Sequence, residues 1–202
     1  MTRRASFRRT AIPAAIAVLS VGAAALLSAP SPAAEPASKD DGLAAFETVR
    51  TVLQHPRCQN CHIPGDAPLQ FNDGRVHAQN VVRGTDGKGA PGLPCSTCHG
   101  AANLPASYGA HVPPGAPNWH LPPPERKMVF IGLSSGELCR LLKDEKSNGG
   151  KNLDALVRHV DSDKLVLWGW NPGLGRDPVS ISHDEFVARF KQWVAAGAPC
   201  AP

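Results

Sequence analysis

Aromatic residues make up only 5% of the 202-residue chain, with a single tyrosine, and of its two methionines one is the initiator. With 20 prolines and 19 glycines breaking up regular structure, such a chain builds a thin core from its own side chains. Net charge is missing as well. Four of the 21 Lys and Arg residues and none of the 17 Asp and Glu precede Glu35, so the remainder carries 17 of each sign. Without a basic excess nothing points to nucleic acid as a partner.

The N-terminus has the pattern of a signal peptide. Arg3, Arg4, Arg8 and Arg9 precede an apolar run from Ala11 to Leu27, and Ser31-Pro32-Ala33-Ala34 offers small residues for cleavage near 33–34. Residues 1–34 are therefore read as an address to the periplasm, 35–41 as a polar lead-in and 42–202 as one domain. A retained membrane anchor is the alternative, because the run falls just short of the roughly 20 residues a spanning helix needs. The paired arginines leave the Sec and twin-arginine routes both open.

Two stretches dominate the rest of the chain: Cys58-Gln59-Asn60-Cys61-His62 and Cys95-Ser96-Thr97-Cys98-His99. Thiols three positions apart add across the two vinyl groups of a haem, and the adjoining histidine ligates its iron; this is the pattern of c-type attachment. Two covalent haems, held by Cys58, Cys61, Cys95 and Cys98 with His62 and His99 as proximal ligands, are the expectation. They would supply the interior that the side chains lack. A four-thiolate zinc site is one alternative, although the pairs stand farther apart than the about 15–20 residues of zinc ribbons. A redox-active dithiol is another, but the proline-crowded surroundings of Cys95 offer no strand–helix junction for it. The two remaining cysteines, Cys139 and Cys200, are expected to form a disulfide in an oxidising compartment.

The spacing of Leu43, Phe46, Val49 and Leu53 predicts a helix capped by Asp40 or Asp41 and running to about Gln54, stopped by Pro56. Ser182 with Glu185 predicts a capping box for a last helix through Phe186, Val187, Phe190, Trp193 and Val194, ended by Gly197. Ser134 with Glu137 opens another, expected to end near Asn148-Gly149-Gly150, and Asn152 starts a shorter one. Between Ile63 and Pro124 periodicity is weak. Turn signals at Asn72-Asp73-Gly74 and at Gly84-Thr85-Asp86-Gly87 suggest a short ribbon through Val76 and Val81, and nine prolines between Pro91 and Pro124 predict extended loop. The fold class is mainly α with long Pro/Gly-rich loops, one domain wrapped round two haems.

The sixth position of each iron decides its chemistry. Met128 follows Leu121-Pro122-Pro123-Pro124 and is the only thioether beyond the N-terminal segment, so at most one iron has His/Met ligation. It is paired with His99, and His77 with His62; His120, His111 and His159 are the other distal candidates. His55 and His183 are assigned to structure. The favoured function is electron transfer, by a protein or subunit read as a carrier and not an enzyme, with a catalytic activity of its own left open. A haem enzyme or gas sensor with one open iron position is the alternative.

An amphipathic helix leading into Cys-x-x-Cys-His, matched by the capped C-terminal helix, resembles the ends of class I cytochrome c, in which the terminal helices cross. Further stretches are His55-Pro56-Arg57-Cys58-Gln59-Asn60-Cys61-His62, Leu121-Pro122-Pro123-Pro124-Glu125 and Leu167-Trp168-Gly169-Trp170-Asn171-Pro172-Gly173. These resemble a group of exported bacterial haem proteins labelled as subunits of isoquinoline 1-oxidoreductase-like molybdenum hydroxylases. That resemblance implies a molybdenum and iron–sulfur dehydrogenase as electron donor and a respiratory cytochrome as acceptor, with any dehydrogenase activity belonging to the donor.

Overall fold

Ser38 opens the first helix through a reciprocal box: its hydroxyl accepts the Asp41 amide at 3.1 Å, and the Asp41 carboxylate accepts the Ser38 amide at 3.2 Å. The cap is therefore Ser38 and neither Asp40 nor Asp41, and the polar lead-in ends before Lys39. The structure, a computed structural model, describes residues 37–202. Residues 1–34, read above as a signal peptide, and the first residues of the lead-in lie outside the described residues.

In order, the elements are α1 (Lys39–Leu53), α2 (Pro56–Gln59), β1 (Leu69–Gln70), β2 (Arg75–Val76), β3 (Gly89–Ala90), β4 (Leu93–Pro94), α3 (Ser135–Lys143), α4 (Glu145–Asn148), α5 (Leu153–Ser162), α6 (Lys164–Leu167) and α7 (His183–Ala195). The protein is mainly helical. No helix among the described residues is long and apolar enough to cross a membrane.

Helices α1 and α7 share the most extensive contact among these elements. Ala45, Phe46, Val49, Val52 and Leu53 face Phe186, Val187, Phe190 and Trp193, with the Phe46 and Trp193 rings 4.9 Å apart. Leu43 sits on the shoulder of this stripe, and Gly42 is buried beneath it. A methyl group on Gly42 would stand 2.6 Å from Ala196 Cβ and 2.7 Å from Pro199 Cγ, so only glycine lets the chain after α7 come this close.

Helix α3 has its full capping box at Ser134 and Glu137, but it stops at Lys143. Asp144 breaks it because the carboxylate bonds the Lys146 amide at 3.1 Å and caps α4, which then ends at the left-handed Gly149. At α7 the Ser182 hydroxyl accepts the Glu185 amide as expected, without the reciprocal bond. Cys139 and Cys200 are joined as a disulfide with their Cα atoms 5.5 Å apart, tying α3 to the chain end.

The loops differ from expectation in their register. Asn72-Asp73-Gly74 is the turn inside a hairpin, with Leu69 opposite Val76 and Gln70 opposite Arg75, and Val81 takes no part. A second ribbon pairs Gly89 with Pro94 and Ala90 with Leu93. From Cys98 to Pro123 the chain is irregular apart from one short 3-10 turn at Ala106–Tyr108.

Two substitutions test this packing. Gly42→Ala, which would gain about 1 kcal/mol at an exposed helix position, is expected to lose about 1–3 kcal/mol here through overpacking, read as a lower denaturation midpoint. Replacing both Cys139 and Cys200 by Ala opens a loop of 61 residues' separation and is expected to cost about 2–4 kcal/mol in the same measurement.

Candidate functional site

Both Cys-x-x-Cys-His stretches fold as a single helical turn. The Cys58 carbonyl accepts the Cys61 and His62 amides at 3.2 and 3.3 Å, and the Cys95 carbonyl accepts the Cys98 and His99 amides at 3.2 and 3.0 Å. A turn of this kind brings residues i, i+3 and i+4 to one side. Each motif therefore gathers two thiols and an imidazole on one face, and the four thiols are free.

The two histidines are held alike. His62 Nδ1 lies 2.8 Å from the Met128 carbonyl, and His99 Nδ1 lies 2.8 Å from the Pro114 carbonyl. A carbonyl only accepts, so Nδ1 carries the proton and Nε2 keeps its lone pair in both rings. The His62 ring stacks on Phe130 at 3.9 Å and 8°, and the His99 ring on Trp119 at 4.3 Å and 5°. Burial pushes His62 down to about 4, with repulsion from His159 adding to it and the Met128 hydrogen bond opposing. Burial also lowers His99, and the neighbouring His77 adds to the effect.

At the first motif the thiols and His62 line an apolar cleft of about 1490 Å³, a volume that includes its open mouth. Leu53, Phe130, Leu156, Phe186 and Phe190 line it, as do Pro122, Pro123, His159 and Trp168. Burial in this wall pushes the Cys58 thiol up to about 12 and Cys61 up to about 11. The second motif is more open: Cys98 is exposed, while Cys95 and His99 are half-buried. A ring contact joins the two places, since Trp119, stacked on His99, meets the edge of Trp168 at 4.9 Å.

Loops around the motifs are secured by side-chain donors. Arg57 and Asn60 both bond the Phe71 carbonyl, at 2.7 and 2.8 Å, which docks the β1–β2 hairpin on the first motif. Arg83, only 1% exposed, donates to the carbonyls of Gly65 at 2.9 Å, Ile63 at 3.3 Å and Pro122, and its Nε lies 3.5 Å from Asp66. One buried guanidinium thus joins the strand of chain after His62 to the proline loop.

The distal candidates fall differently from their expected pairing. His77, one residue past β2, has its ring centroid 6.2 Å from that of His99 and so belongs with the second motif, not with His62. Met128 belongs with the first: its carbonyl faces His62 Nδ1, and its side chain packs against the core beside the cleft. His77 is held by its amide bond to the Pro68 carbonyl, and Met128, with φ of 48°, has its carbonyl against His62. His120 and His159 both line the cleft, with His120 Nδ1 2.5 Å from the Asn118 carbonyl and His159 Nδ1 3.4 Å from Asp163. The His159 hydrogen bond is the main reason Asp163 is held down at about 2. His111 is exposed, edge-on to Phe71 at 5.1 Å, and joins neither motif. His55 caps α2, and His183 Nε2 lies 2.8 Å from the Val160 carbonyl.

Two of the alternative chemistries fit poorly. Among the described residues no three His, Cys, Asp or Glu side chains converge as a site for a bare metal ion, so the thiols do not form a four-thiolate cage. A redox-active dithiol needs a lowered thiol pKa, and burial moves Cys58 and Cys61 the other way. A haem suits the donor set better: a macrocycle that brings four nitrogens of its own needs only axial imidazoles, free thiols at its edge and an apolar slot. The paired carbonyl–imidazole bonds and the stacked rings are geometric and cannot be read from the sequence, where the one available signal is that Trp119 and Phe130 are among its few aromatics.

Arg83→Met is expected to leave three carbonyls without their donor and to cost about 3 kcal/mol, with amide exchange accelerating at 63–66 and 119–123; unchanged exchange there would count against the role given to this guanidinium. No protein-family model, curated protein or solved structure is significantly similar to the chain.

Proposed function

We propose that this protein is an exported two-haem c-type cytochrome that transfers electrons, with Cys58 and Cys61 carrying one porphyrin, Cys95 and Cys98 the other, and His62 and His99 as proximal ligands. What supports the reading above all is the repetition of one constellation at two unrelated loops: a helical turn presenting two free thiols, with an imidazole whose Nδ1 is committed to a carbonyl and whose face is covered by an aromatic ring. Haem supplies one-electron redox chemistry when held in this way.

The protein's own contribution is to orient and to exclude water. The Met128 and Pro114 carbonyls fix the tautomer of their histidines and make Nε2 a stronger donor. Leu53, Leu156, Phe186 and Phe190 give the first site an apolar wall. Trp119 and Trp168 close the gap between the two sites with ring contacts. The Cys139–Cys200 disulfide suits an oxidising compartment, in keeping with periplasmic export directed by residues 1–34. By the resemblance carried by the stretches at 55–62, 121–125 and 167–173, the donor is a molybdenum and iron–sulfur dehydrogenase and the acceptor a respiratory cytochrome.

A second reading, a haem enzyme or gas sensor, draws on one observation: the cleft beside His62 is large and has the His159–Asp163 pair on its wall, a suitable acid/base group. Carbon monoxide separates the two. An electron carrier with both irons closed binds it weakly at neutral pH, and an open iron binds it strongly.

The decisive measurement is the intact mass of protein matured in a host competent for haem ligation. It is expected to exceed the polypeptide by two porphyrins, to lose one in Cys58→Ala/Cys61→Ala and to lose the other in Cys95→Ala/Cys98→Ala. A mass without porphyrin refutes the reading. Haem-free protein is expected to lack the cooperative melt of the loaded form.

A further inference from the structure

The separation of His77 from His99 has a specific chemical meaning. A metal–imidazole bond is about 2 Å long, and a ring nitrogen lies about 1.1 Å from its own ring centre, so two imidazoles binding one metal from opposite sides have centroids about 6 Å apart. The observed centroids are 6.2 Å apart, with the rings inclined at 61° and no hydrogen bond between them. Both rings have also been prepared in the same way. His77 Nδ1 lies 2.8 Å from the Ala78 carbonyl and His99 Nδ1 lies 2.8 Å from the Pro114 carbonyl, which commits each Nδ1 proton and leaves each Nε2 as the only lone pair.

The backbone holds both residues in place. The His77 amide donates to the Pro68 carbonyl at 2.8 Å, at the base of a hairpin fastened to Arg57 and Asn60, and the His99 amide closes the turn from Cys95 at 3.0 Å. Gly115, next to the Pro114 carbonyl, has no space for a side chain, because a Cβ there would overlap the Ala102 oxygen. No other distal candidate lies within ring contact of His99: Met128, His120 and His159 belong to the cleft at the first motif, and His111 sits against Phe71.

We propose that His77 and His99 are the two axial ligands of one metal, the iron of the haem carried by Cys95 and Cys98. This rests on the two-haem reading and adds to it a ligand set. The second site is then closed by two imidazoles and does no ligand chemistry. The two sites differ in their surroundings, because Met128, His120 and His159 line the cleft at the first motif. A second imidazole favours a lower potential than a thioether.

The experiment uses loaded protein and begins with its porphyrin count. A count below two defeats the two-haem reading itself; a count of two leaves the axial pair to be tested separately. Magnetic circular dichroism of the oxidised wild type is expected to show a low-spin iron with two imidazole ligands, and its absence overturns the proposal whether or not any variant folds. In His77→Ala the count is expected to remain two while carbon monoxide binding to the reduced protein rises by one equivalent, and added imidazole is expected to reverse the rise. His111→Ala is expected to leave the stoichiometry at the wild-type value. A His77→Ala protein with two porphyrins, wild-type spectra and no added carbon monoxide site overturns the assignment.

Discussion

A chain rich in proline has more backbone acceptors than donors, and this imbalance governs how the loops of the protein are built. Each of the nine prolines between Pro91 and Pro124 contributes a carbonyl but no amide hydrogen. The short ribbons pair few of these groups, so side chains provide the missing donors. Arg83 serves Ile63, Gly65 and Pro122; Arg176 serves Val112; Lys127 serves Pro64; Arg57 and Asn60 share Phe71. The histidines belong to the same set. His62, His77, His99 and His120 each commit Nδ1 to a carbonyl, so the need to satisfy the loops also fixes which nitrogen is left for chemistry.

What is legible in the sequence is local. Ser134 with Glu137, Ser182, and the stripe from Phe46 to Leu53 define helix ends and faces through contacts three or four residues away, and the structure has these helices. Cys139 and Cys200, the two cysteines outside the Cys-x-x-Cys-His stretches, are joined as expected. Details that depend on competition between neighbours are harder to read: Ser38 caps in place of Asp40 or Asp41, and Asp144 ends α3 well before the glycines by capping a new helix. The placement of the loop residues is not legible. Sequence order pairs His77 with His62 and Met128 with His99, whereas the His77 ring lies beside His99 and the Met128 carbonyl beside His62, neighbours brought together across long stretches of chain.

The two motifs share a local plan but not an environment. The first faces a deep apolar cleft whose inner wall is the helical core, so α1, α5 and α7 both stabilise the fold and line the site. The second is built from loops and lies near the surface, with Cys98 exposed. Under the proposed function, the enclosed centre is the one whose surroundings tune it, and the exposed one is better placed to meet a partner. Trp119 and Trp168 form the physical seam between them.

The disulfide has a mechanical consequence for the cleft. Because Cys139 is bonded to Cys200, the chain from α3 through α7 is a covalent ring, and that ring supplies Leu142, Leu156, Val160, Phe186 and Phe190 to one wall. Residues outside that ring, from Trp119 through Pro122 and Pro123, line the same cleft, and there the guanidinium of Arg83 ties Pro122 to Ile63 and Gly65.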